Sequence, residues 1–266
     1  MSTLTRHPVH MLGERPWPLL TSIGGIGVTS GIILAFHQNN WKLIYLGLLT
    51  IVRISFTWWR DISRESTNQG FHTKIVESGL KWGMGLFIVS EIFFFVSFFW
   101  SFFHVSLSPN IELGAHWPPI GITPFNPWGV PLLNTIILIS SGIRVTWCHK
   151  SIELNRHRQS VVSLLITILL GGYFTIFQGI EYYEASFSIS DSSYGSTFFV
   201  ATGFHGLHVI VGTSFLLACL LRIVIGILSK SHHLGLKAAI WYWHFVDIVW
   251  LFLFFWVYVW GRRDLG

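Results

Sequence analysis

Long apolar runs, each close to or above twenty residues, alternate along the chain with short polar connections. A helix needs about 20 apolar residues to cross a hydrocarbon core of about 30 Å. Seven runs meet that length: about Pro16–Phe36, Trp41–Trp59, Lys74–Val105, Trp128–His149, Ser160–Tyr183, Tyr194–Ile227 and Leu236–Trp260. Pro16-Trp17-Pro18 suits a helix start, because proline fits the first turn, where its missing N–H costs nothing. The third run exceeds the membrane thickness and should tilt or protrude. The stretch holding Pro109, Pro118, Pro119, Pro124 and Pro127 is predicted to be an ordered connector, since proline removes donors and blocks helix.

Lys and Arg in the connections test the seven-span reading. With the N-terminus on side one, side-one segments hold Arg6, Arg15, Arg60, Arg64, Lys74, Lys150, Arg156, Arg158, Lys230 and Lys237. The opposite connections at 37–40, 106–127 and 185–191 hold neither residue, and only Arg262 and Arg263 break the asymmetry. The positive-inside rule then places the N-terminus in the cytoplasm or mitochondrial matrix. Met1–Arg15 lacks the apolar core of a secretory signal, so the spans themselves are expected to drive insertion. Arg53 and Arg144 fall inside apolar runs near their basic-side ends. Snorkelling to the headgroups explains them, with a buried ion pair as the alternative.

Composition supports a hydrocarbon solvent. Charged residues are 11% of the 266, apolar residues 52%, and mean hydropathy is +0.57, whereas a soluble domain carries about 25% charged residues. Aromatics reach 17%, with 14 Trp and 23 Phe, and Trp and Tyr suit the membrane–water interface. The net charge of +5 is spread over short loops rather than gathered on one face, which argues against nucleic acid. Cys148 and Cys219 lie far apart in apolar segments, outside any CxxC, so neither a disulfide framework nor a thiolate metal site is expected.

Ionisable groups within spans are candidates for function, because hydrocarbon penalises them. Glu91 sits mid-span in Gly85-Leu-Phe-Ile-Val-Ser-Glu91. It reads either as a proton-active or regulatory carboxyl, or as a protonated acid that hydrogen-bonds a neighbouring helix. His205 and His208 lie three apart in the sixth span, and His244 and Asp247 three apart in the seventh. Paired histidines can hold haem or copper, but haem ligands usually face each other from different helices, and hydrogen bonding between helices is the favoured reading. Glu181 and Glu184 end the fifth span, where acids oppose the helix dipole; a solvated helix end is the commoner explanation, with compensation by a subunit partner or headgroup as the alternative. Gly27-x-x-x-Gly31 and Gly79-x-x-x-Gly83 allow close helix approach. Trp58-Trp59-Arg60-Asp61, with Arg64, Glu65 and His72 beyond, suits a phospholipid whose phosphate meets Arg while its chains lie along Trp, with an ordinary interfacial belt as the alternative. P-loop, GxGxxG, HExxH and nucleophile-elbow motifs are missing. Paired broken spans and internal repeats are missing too, so a transporter gains no support.

Longer strings carry a resemblance. Trp58-Trp-Arg-Asp61, Arg64-Glu-Ser-Thr67, Phe87-Ile-Val-Ser-Glu91, Trp117-Pro-Pro119, Pro131-Leu-Leu-Asn-Thr135 and Glu181-Tyr-Tyr-Glu-Ala185 resemble subunit III of the haem–copper cytochrome c oxidases. So do Tyr194 to His208 and Trp241-Tyr-Trp-His-Phe-Val-Asp247. The match runs the whole chain in order and looks like the mitochondrially encoded form. The resemblance implies an all-α bundle of seven transmembrane helices, one membrane domain over 1–266. In it, helices 1–2 (16–61) splay from helices 3–7 (74–262) around a lipid-filled cleft. It implies a non-redox subunit that supports dioxygen reduction and proton pumping. Haem a, haem a3 and copper would lie in partner subunits, and this chain would bind no metal and only structural phospholipids. Subunit I is the main implied partner, with subunit II and accessory subunits, in the mitochondrial inner membrane, N-terminus in the matrix and C-terminus in the intermembrane space. Glu91 matches the family's carbodiimide-reactive carboxyl, and Trp58, Trp59, Arg64, His72 and Arg222 match positions associated with lipid. Arg53, Arg144, Cys148 and Lys150 depart from the residues usual in the family. A quinol-oxidase counterpart, a transporter or channel, and a haem-binding cytochrome are the competing readings.

Overall fold

The computed structural model describes residues 9–10, 13–111, 114–228, 230 and 233–262. Arg6 and Arg263, which entered the charge asymmetry, lie outside them. The chain forms α1 (Trp17–Gln38), α2 (Lys42–Thr67), α3 (Lys74–Leu107), α4 (Val130–Glu153), α5 (His157–Tyr183), α6 (Ser193–Val224) and α7 (Leu234–Leu253), and α7 continues as a π-helical stretch, Phe254–Trp260. Among the described residues, seven helices are long and apolar enough to span a membrane. At about 1.5 Å per residue the 34 residues of α3 reach roughly 51 Å, well beyond the hydrocarbon core.

Local chemistry sets the ends. Prolines occupy the first turns of α1 and α4, where no intrahelical donor is lost. Asn39 closes α1 in the left-handed region at φ 52°, and its N–H returns to the Ala35 carbonyl. Ser192 caps α6 by accepting the Gly195 N–H at 3.2 Å. Just before it, outside the spans, the Ser188 N–H donates to Asp191 at 2.6 Å and holds that carboxyl below its ordinary range. The second helix runs eight residues past its expected end at Trp59, so the Trp-Trp-Arg-Asp and Arg-Glu-Ser-Thr strings lie on its last turns rather than in a loop. Lys42 opens α2 on side two, a cation that the loop-only charge asymmetry leaves out.

The chain divides into two compact units, Met1–Leu80 and Lys81–Gly266. In the first, α1 and α2 meet through glycine. A Cβ on Gly31 would stand 2.6 Å from the Ile44 N, and one on Gly47 2.7 Å from the Val28 N. Backbones can approach that closely only where side chains are missing, the usual device for helix association in lipid. The Trp17 indole N–H donates to Asp61 at 3.1 Å near the same helix pair. Gly79 and Gly83, with the same spacing as Gly27 and Gly31, have nothing near their Cβ positions.

In the second unit α7 is the most enclosed helix. Its Trp243 and Trp250 indoles donate to Ser141 Oγ and Thr135 Oγ1 of α4, each at 2.9 Å. Phe-rich α3 meets α6 and α7 through rings: Phe98 stacks on Phe204 at 5.2 Å between centroids, and Phe103 meets Trp256 edge-on at 5.1 Å. These bulky rings leave an apolar cavity of about 710 Å3 between α3 and α7, lined by Phe95, Phe99, Trp100, Phe252 and Trp256 among others. Described parts of the proline-rich connector are tied to the C-terminal end: buried Trp117 donates its indole N–H to the Gly261 carbonyl at 3.1 Å, and Arg262 donates to Asn126 at 3.1 Å.

Candidate functional site

Glu91, on α3, meets His208 of α6, with Oε2 and Nε2 2.9 Å apart. The other ring nitrogen, Nδ1, lies 2.7 Å from the Phe204 carbonyl oxygen. A carbonyl only accepts, so Nδ1 carries a proton. Nε2 then either accepts from a neutral Glu91 carboxyl or, protonated, donates to the carboxylate. One proton is shared by the pair in both cases, and the pair is neutral overall, the form that hydrocarbon tolerates. Phe95 presents its ring edge to the imidazole at 5.0 Å, and Tyr242 stacks on it at 6.2 Å. The partner lies 117 positions from Glu91.

His205 turns elsewhere. It is 1% exposed, and its Nε2–H donates to the Val246 carbonyl of α7 at 3.2 Å. Phe174 and Trp250 close around it at 5.4 and 5.2 Å. Thus the two histidines contact different helices: the Nε2 of each is engaged within the bundle, and His205 Nδ1 is buried without a hydrogen-bond partner among the described residues. This arrangement does not fit a pair of axial haem ligands. His244 lies 3.2 Å from Thr146 Oγ1 of α4 and 3.8 Å from Asp247 Oδ2. Asp247 fits because position 142 is glycine, where a Cβ would stand 2.7 Å from its Oδ2. Sequence spacing paired His244 with Asp247 but gave no sign of Thr146 or Gly142.

The proposed lipid residues occupy both units. Trp59 is exposed on α2, Trp58 is half-buried and Arg64 is exposed. Glu65 differs: it is 6% exposed, and its carboxylate is held by Arg15 and lies 3.9 Å from His10 Nδ1. Its acid therefore neutralises a cation inside the unit. His72, partly buried, lies 6.2 Å from His10 between ring centroids, and Phe71 stacks on His10 at 5.0 Å. Arg222 sits in the last turn of α6, with Nη1 close to Gly235.

Of the two in-span arginines, Arg53 is exposed, while Arg144 lies over the Trp147 ring at 5.3 Å, a cation–π contact. Glu184 is exposed at the end of α5, as a solvated helix end requires. Glu181 is not solvated: it is 3% exposed, both oxygens are buried, and Gln178 and Tyr258, which approach each other at 3.4 Å, belong to the same polar pocket. Cys148 and Cys219 are buried free thiols.

The model for the family described as "Cytochrome c oxidase subunit III" matches residues 7–262. The chain is 58% identical over 262 residues to the cytochrome c oxidase subunit 3 of Aedes aegypti, covering 98% of this chain and 100% of that one. It is 58% identical over 261 residues to that of Drosophila melanogaster, with the same coverage. Against that of Tachyglossus aculeatus aculeatus it is 57% identical over 255 residues, 96% of this chain and 98% of that one.

Proposed function

The chain belongs to the cytochrome c oxidase subunit III family, and from that premise we propose how its residues serve the oxidase. Its role is that of a non-redox structural subunit of the enzyme, which passes electrons from cytochrome c to dioxygen. The observation that carries this reading is the end-to-end match, 58% identity over 98% of the chain. In the proposal, subunit I is the main contact, with subunit II and accessory subunits around it. The enzyme's haem a, haem a3 and copper reside in those partners, where they supply the electron transfer. The N-terminus faces the matrix and the C-terminus the intermembrane space of the mitochondrial inner membrane, in line with the loop charges.

Glu91 is proposed as a carboxyl that holds one proton with His208 and supports proton uptake by the catalytic subunit. Glu91→Gln keeps a donor for the imidazole, because its amide N–H can reach Nε2. The variant is expected to assemble fully, with at most a modest change in protons pumped per electron. Glu91→Leu removes the partner and is expected to cost about 1–3 kcal/mol, the penalty for a buried polar group left unpaired. Thermal unfolding of the purified complexes separates them, and equal stability of the two variants contradicts the shared-proton arrangement.

Trp58, Trp59, Arg64, His72 and Arg222 are proposed to hold phospholipid, and the implied splay of the first two helices around a lipid-filled cleft belongs to this proposal. Exposed indole and guanidinium groups near a helix end favour that use. Glu65 belongs to the same set through neutralising Arg15 rather than through a headgroup. Trp59→Ala and Arg64→Ala are each expected to lower the phospholipid retained per purified complex, measured by mass spectrometry. Unchanged lipid content contradicts the assignment.

A further inference from the structure

His149 and Glu153 lie one turn apart at the end of α4, and His233 directly precedes α7. One ligand atom from each comes together, all within 4.8 Å of one another. The two imidazole rings are 5.6 Å apart between centroids. His149 Nε2 stands 3.7 Å from Glu153 Oε1, too far for a hydrogen bond. Among the described residues that Nε2 is buried without a hydrogen-bond partner, so the fold encloses a nitrogen lone pair or proton that none of them satisfies. His233 is 6% exposed, whereas the Glu153 side chain is 38% exposed and leaves a way in from water.

We propose that His149, Glu153 and His233 form a reversible binding site for a divalent transition metal of the zinc class. Two imidazoles and one carboxylate are a set that Zn2+ accepts, with a fourth position open to water. Bonds of about 2.1 Å in a tetrahedron put ligand atoms roughly 3.4 Å apart, so the side chains close by about an ångström when metal enters. Two cations oppose it. Lys150 donates to Glu153 Oε2 at 3.2 Å, which leaves Oε1 to the metal, and Lys237 starts one turn into α7. Their charge makes the metal exchangeable rather than a permanent part of the fold. Bound, it ties the end of α4 to the start of α7. The other His–carboxylate group, His10, Glu65 and His72, carries no such proposal, because Arg15 already holds the Glu65 carboxylate.

The test is equilibrium dialysis of radioactive Zn2+ against the chelator-washed, intact oxidase, comparing wild type with Glu153→Gln and His149→Gln. Haem content is checked first to show that each complex has assembled. Wild type is expected to bind one more equivalent of Zn2+ than either variant, and Lys150→Gln to bind that equivalent several-fold more tightly. Glu153→Gln alters a partly exposed side chain and decides the matter if His149→Gln fails to assemble. Equal Zn2+ stoichiometry in wild type and Glu153→Gln overturns the site.

Discussion

Trp243→Ala is expected to destabilise the second unit by about 3 kcal/mol, the lower end of the range for deleting a buried aromatic side chain. Trp243 is fully buried, its six-membered ring sits over Gly171 and Gly212, and its indole N–H donates to Ser141. Positions 171 and 212 are glycine for a reason: a Cβ would stand 2.7 Å from Trp243 Cη2 at the first and 3.0 Å from Cε3 at the second. The lower end applies because lipid tails are as apolar as the core, so the lost packing remains but the water-transfer part shrinks. Trp243→Phe fills most of the space and loses one hydrogen bond, which is expected to cost about 1 kcal/mol. Ser141 Oγ keeps a partner in either variant, since it donates to the Leu138 carbonyl at 2.7 Å. Thermal unfolding of the assembled complex reads both. A Trp243→Ala protein as stable as wild type, or a Trp243→Phe protein as weak as Trp243→Ala, contradicts this packing.

Gly47→Leu is expected to separate α1 from α2 and to cost more than the 1–3 kcal/mol typical of overpacking. The atoms that a Cβ would meet are Val28 N at 2.7 Å and Gly24 O at 2.9 Å. Backbone cannot swing aside as a flexible side chain does, so the helices themselves must move. Gly25→Ala is the control, because nothing lies within 4 Å of its Cβ position. Alanine there gains up to about 1 kcal/mol of helix propensity. The yield of assembled complex on a native gel should fall sharply for Gly47→Leu and hold for Gly25→Ala. Equal yields for the two contradict the glycine-mediated crossing.

The spans were legible because a run of twenty apolar residues is a local signal that only hydrocarbon explains. The end of α2 was less so: Trp58–Thr67 turns polar, which reads as a loop, yet it continues as helix. Small-residue spacing alone did not separate Gly31, pressed on Ile44, from Gly79 and Gly83, whose Cβ positions have nothing within 4 Å among the described residues. The difference is set by which faces the crossing helices bring together. Glu91 stood out as a carboxyl in an apolar run, but His208 as its partner did not, since no short-range pattern encodes a contact across 117 positions. Glu181 failed in the other direction. An acid at a helix end reads as solvated; Gln178 stands three residues before it on the same helix, but only the folded bundle brings Tyr258 to it. Neither His149 nor Glu153 stood out in the sequence, and His233 joins them only through the packing of α7 on α4.

The most direct measurement is purification in mild detergent through a tag on this chain, followed by an optical spectrum and a cytochrome c oxidation assay. An a-type haem spectrum with oxidase activity is expected, with the haem remaining on the other subunits after the complex is split. A preparation without haem and without oxidase activity, or haem that stays with this chain after splitting, would contradict a non-redox subunit of the oxidase.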